Sequence, residues 1–80
     1  MLLTVRLFAR LKEIAGGDAQ VTVPPGARVR DVWQALAVKF PEIAPYEAAV
    51  SCAVNADYSK MSAEVRDGDE VAFLPPVSGG

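Results

Sequence analysis

Three places in this sequence carry groups able to do covalent or acid–base chemistry: the thiol of Cys52, the carboxylate pair of Asp67-Gly68-Asp69, and the run Leu74-Pro75-Pro76-Val77-Ser78-Gly79-Gly80. Cys52 has no neighbouring cation to lower its pKa and falls on the inward parity of an alternating segment. It reads as a buried core thiol rather than a nucleophile. Two aspartates one residue apart can share a proton or hold a metal, yet Asp-Gly-Asp before an apolar run is ordinary turn chemistry. No metal site is expected. The chain contains no histidine. Ser-His-Asp and Cys-His catalysis, HExxH zinc chemistry and any imidazole proton transfer are therefore excluded. A stand-alone hydrolase does not fit.

The last run is different in kind. Pro75 and Pro76 fix φ and hold the chain straight as it leaves the body of the fold. Gly79 and Gly80 carry no side chain, so the tip can thread a channel too narrow for other residues. Six residues beyond Leu74 reach roughly 20 Å when extended, and the group they present is the α-carboxylate of Gly80. Gly-Gly alone favours a frayed terminus or a linker remnant. A stiff neck placed where the fold ends points instead to a delivered carboxylate.

Something must hold that tail. Leu2 to Phe8 reads as a strand with Leu3, Val5 and Leu7 on one face, and Ala9 to Ala15 as a short helix ended by Gly16-Gly17. Ala19 to Val23 alternates as a second strand, stopped by Pro24-Pro25-Gly26. Between Val29 and Phe40 the period lengthens: Val29, Val32, Trp33, Leu36 and Phe40 form one stripe of the main helix. Trp33 and Phe40 are core residues on this reading. Asp31 complements the helix dipole, but neither Arg28 nor Arg30 can serve as an N-cap acceptor. Pro41 to Glu47 reads as an irregular bridge. Val50, Cys52 and Val54 alternate as a third strand, a turn follows near Asn55-Ala56-Asp57, and a short fourth strand begins near Tyr58. Asp67-Gly68-Asp69 turns the chain into a last strand, Glu70 to Leu74. The first and last strands are the most continuously apolar, as central strands are. One sheet with one helix packed on it is an α+β roll.

In that roll Phe8 and Leu74 fall out of phase with the inward residues. If the first and last strands are neighbours, the two meet on the outer face beside the root of the tail, where exposed apolar side chains make a docking surface. A covering loop is the alternative.

Composition limits the partners. The chain is 80 residues long, 51% apolar, with eight Lys and Arg against ten Asp and Glu, giving a net charge of −2. With a mean hydropathy of +0.20 it is expected to fold as one small domain. It has no basic run to follow a nucleic-acid backbone and no apolar stretch long enough for a bilayer, so neither is an expected partner. Arg6 and Arg10 interrupt any signal-peptide core, and a single cysteine suits a reducing cytoplasm.

Leu7-Phe8-Ala9-Arg10-Leu11-Lys12-Glu13, Ala53-Val54-Asn55 and the fourteen residues from Asp67 to Gly80 together resemble the small subunit of molybdopterin synthase, a family of ubiquitin-like sulfur carriers. The final fourteen residues are the specific part. Leu74 stands where the family often places an aromatic. The resemblance implies a β-grasp fold, a mixed sheet of about five strands with one main helix, over residues 1–74, and an extended flexible tail over 75–80. It implies a non-catalytic carrier subunit of a heterotetrameric synthase, with no cofactor of its own. A separate ubiquitin-activating-like adenylyltransferase would use ATP and Mg²⁺ to convert the Gly80 carboxylate to an acyl-adenylate, and a sulfur donor protein would convert that to a thiocarboxylate. The tail would then enter the large subunit, where the sulfur attacks a cyclic pyranopterin precursor. Gly79 would allow passage, Pro75, Pro76, Val77 and Ser78 would form the threading neck, and Phe8 and Leu74 would dock. Related carriers supply sulfur to tRNA thiolation or cysteine synthesis. A protein modifier joined through Gly80 to target lysines, or a plain interaction module, are further alternatives.

Overall fold

Alternation of apolar and polar residues builds the sheet directly. In the computed structural model, which describes residues 1–76, strand β1 (Leu2–Leu7) buries Leu3, Val5 and Leu7 and exposes the residues between them. It is flanked on one side by antiparallel β2 (Ala19–Thr22) and on the other by parallel β5 (Glu70–Leu74). Antiparallel β3 (Ser51–Val54) and then β4 (Asp57–Ser59) complete the order β2-β1-β5-β3-β4. The first and last strands are central neighbours, as their apolar runs require. In register, Val5 stands opposite Val71 and Leu7 opposite Phe73. This is the five-stranded mixed sheet expected of a β-grasp fold.

Helix α2 (Val29–Lys39) covers the inward face with Val29, Val32, Trp33 and Leu36, all buried. The Trp33 ring meets Phe73 edge-on, centroids 4.9 Å apart at 69°, the geometry favoured by the quadrupoles of two aromatic rings. Short helix α1 (Ala9–Ala15) contributes Leu11 to the same core and ends at Gly16, whose φ of 82° is the left-handed cap conformation that glycine adopts without strain. Among the described residues no polar or charged residue is buried.

The start of α2 shows how the missing N-cap is replaced. Arg28 offers no acceptor; instead its own N–H donates to the Asp31 carboxylate at 2.8 Å. The next two amides, Val29 and Arg30, donate to the carbonyls of Ala63 and Met61, both at 2.9 Å. A strap running from Met61 to Val65 thus satisfies the helix's orphan donors from outside. The Arg28 guanidinium ties it down through the Ser62 carbonyl at 2.6 Å.

Several boundaries differ from the sequence expectation. Phe8 is not a paired strand residue but the extended N-cap of α1, and Phe40 is the C-cap of α2 rather than its last turn. Residues Pro41–Tyr46 form a 3₁₀ helix, not an irregular bridge, with Pro41 at its start where no amide is needed. Val50 precedes β3 instead of opening it.

Candidate functional site

The face of the sheet opposite α2 is set by strand parity. Arg6 on β1, Ala72 and Leu74 on β5, and Ala53 on β3 point away from the helix, and Ala53 pairs with Tyr58 across the β3–β4 edge. Phe8 keeps this outward parity because its backbone is still extended, φ −128° and ψ 152°. Together these residues line a groove of about 260 Å³, with Ala56 and Glu70 at its margin. Ala53 and Ala72 are side by side in register and too small to fill the space between the larger Phe8, Tyr58 and Leu74. Phe8 is 38% and Tyr58 80% exposed, unusual for aromatic rings on a small domain. The structure therefore brings Phe8 and Leu74 onto one groove. It also adds Tyr58, which the sequence reading placed only as the start of a strand.

The chain leaves this groove by its own strand. Leu74 is the last residue of β5 and stands opposite Ser51. Pro75, half-buried, and Pro76, exposed, follow it; neither has an N–H to extend the ladder, so the sheet stops there. Val77, Ser78, Gly79 and Gly80 lie outside the described residues.

The other candidate groups have structural partners. Cys52 faces the core, its Sγ donating to the Ser59 carbonyl at 3.0 Å, and burial pushes its pKa up. It is a core thiol. Asp67 accepts the Leu2 amide at 2.9 Å. Asp69 accepts the Asn55 side-chain amide at 3.0 Å and the Arg66 amide at 2.8 Å, and these bonds hold its carboxyl below the usual carboxylate range. The Asn55 side-chain oxygen in turn accepts the Glu70 amide at 3.0 Å. Asp67-Gly68-Asp69 is thus a turn locked to the β3–β4 hairpin by Asn55. Local sequence marks Asn55 only as a turn residue, because its partners lie across the sheet. Among the described residues no group of three or more His, Cys, Asp or Glu is placed to hold a metal ion, and no helix is long and apolar enough to cross a membrane.

Comparison with known proteins agrees with this fold. A molybdopterin synthase sulfur carrier subunit of Arabidopsis thaliana is 38% identical over 77 residues, covering 95% of this chain and 80% of the relative. Among solved structures, a molybdopterin converting factor subunit 1 of Pyrococcus furiosus superposes with a TM-score of 0.85 at 32% identity, over 96% of this chain and 99% of its own. The small archaeal modifier protein 1 of Haloferax volcanii gives 0.84 at 26% identity, over 95% and 98% of the two chains. The model of the ThiS family matches residues 5–80. With that match running through the sheet, the helix and the Gly-Gly tail alike, the chain belongs to the ThiS family.

Proposed function

We propose that this chain is a sulfur carrier of molybdenum cofactor biosynthesis, working as the small subunit beside a large catalytic subunit of molybdopterin synthase. The observation that carries the reading is the likeness to molybdopterin synthase sulfur carrier subunits along nearly the whole chain. The arrangement of β5 supports it: one strand forms the centre of an apolar groove and then runs through Pro75-Pro76 toward Gly79-Gly80. A partner seated on Phe8, Tyr58 and Leu74 is thereby beside the root of the tail it must receive.

In this account the Gly80 carboxylate is the reacting group. A free carboxylate is a poor electrophile. An adenylyltransferase joins it to AMP from ATP with Mg²⁺, releasing pyrophosphate; a sulfur donor protein then displaces AMP and leaves a thiocarboxylate. The acid–base groups for activation and for attack on the pyranopterin precursor belong to the partner enzymes. Gly79, having no side chain, would let the tip pass a narrow channel, and Val77 and Ser78 would follow Pro75-Pro76 into it.

A second reading is favoured by the likeness to small archaeal modifier protein 1: Gly80 forms an isopeptide bond with lysines of other proteins. Sulfur delivery to tRNA or to cysteine synthesis keeps the carrier chemistry and changes only the recipient. Removing Gly79-Gly80 from the chain in cells lacking the native gene separates these. The carrier predicts loss of molybdenum-enzyme activity with no conjugates formed by the intact chain. Ladders of conjugates, with molybdenum-enzyme activity unaffected by the truncation, would sink it in favour of the modifier.

A further inference from the structure

Phe8 is the aromatic of the outer groove whose backbone has already left the sheet, so strand pairing does not fix its ring. Arg6 lies beside it on the same face. Its Cζ is 5.8 Å from the centroid of the Phe8 ring, within the range where a guanidinium is attracted to an aromatic face. The guanidinium is itself held from two sides, with Nε 3.7 Å from an Asp18 carboxylate oxygen and Nη1 3.8 Å from one of Glu70. Asp18 is in turn fixed by the chain, its other oxygen accepting the Leu7 amide at 3.2 Å. Two separate parts of the chain thus converge on the Arg6 side chain of β1: Glu70 from β5, and Asp18 from the turn into β2.

We propose that Arg6, clamped between Asp18 and Glu70, is a positioning residue that holds the Phe8 ring in its docking orientation before the large subunit arrives. The inference rests on the docking role of the outer face proposed above. Each of these ion pairs is half-exposed, and such pairs contribute little to folding. Their effect is felt in the ordering of an exposed ring, which a partner would otherwise have to immobilise itself.

The test is a double-mutant cycle on binding of the full chain to the large synthase subunit, using Arg6→Gln, Phe8→Ala and both together. Arg6→Gln is expected to weaken binding about three- to tenfold with an unchanged melting temperature, and to have no effect once Phe8 is alanine. Arg6→Lys keeps a cation but cannot bridge both carboxylates, and should fall between. In the free chain the Arg6 Nε–H proton resonance should be displaced by the ring current of Phe8. Asp18→Asn, which retains an oxygen for the Leu7 amide, and Glu70→Gln should each reduce that displacement. An equal loss from Arg6→Gln in both backgrounds would mean that Arg6 touches the partner directly, and would overturn the positioning role while leaving the docking face intact. No loss from Arg6→Gln in the wild-type background would overturn it too. If Phe8→Ala binds like wild type, the docking face itself is wrong and this inference falls with it.

Discussion

At the scale of single residues, the charged groups of this chain serve geometry. Asp69 is the clearest case, because its two oxygens join the turn before β5 to the hairpin after β3. Those bonds favour the ionised carboxyl, so its pKa in the folded chain lies below the unfolded value of about 3.9. The stabilisation is complete above that value and is lost as the pH falls through the folded one. Asp69→Asn is expected to cost about 0.5–1 kcal/mol at neutral pH, toward the small end because the site faces solvent. Urea unfolding across pH should show the mutant and wild type converging in acid. A constant difference down to the most acid point would mean that ionisation plays no part. Cys52, the residue type most often read as reactive, is held inert by burial and by its bond to Ser59.

At the scale of elements, the β3–β4 hairpin carries an avoidable strain. Val54 pairs with Asp57, so Asn55 and Ala56 alone make the turn, with φ of 50° and 72°. Both angles are left-handed, the pattern of a type I′ turn, for which Asn-Gly is the favoured pair. Asn tolerates the first position, but alanine pays a steric penalty at the second. Ala56→Gly is expected to raise stability by about 1 kcal/mol, read as a higher urea midpoint at unchanged slope. A lower midpoint would contradict the assignment of strain to this residue. The strands and α2 were legible in the sequence because period two and period 3.6 are properties of neighbouring residues. The capping of α2 was not. Its acceptors, Met61 and Ala63, lie on a strap distant in sequence, and a backbone carbonyl leaves no mark in residue type. The 3₁₀ segment at Pro41–Tyr46 read as an irregular bridge, although Pro41 is suited to a helical start. Tyr58 was missed as part of the groove because its exposure follows from pairing with Ala53, a contact that only the sheet order creates.

At the scale of the whole molecule, the sheet carries the outer groove on one of its faces and the helix-covered core on the other. The parallel pairing of β1 with β5 places Phe8 and Leu74 at the same end of the central strands, so the groove lies beside Pro75, where the chain leaves the sheet. Phe73, buried beneath Leu74 against Trp33, anchors that end to the core. The resemblance in the last fourteen residues was legible at once, since it is local in sequence; the outer groove needed the sheet order to become visible. In the proposed function the Gly80 carboxylate is the group acted upon. Intact mass measured after incubating the chain with an adenylyltransferase of the ubiquitin-activating type, ATP, Mg²⁺ and a sulfur donor tests it most directly. Replacement of one oxygen by one sulfur is expected, mapped to Gly80 and lost when ATP is omitted or Gly79-Gly80 is removed. An unchanged mass, with an enzyme and donor that fully convert another carrier of the family in the same reaction, would contradict it.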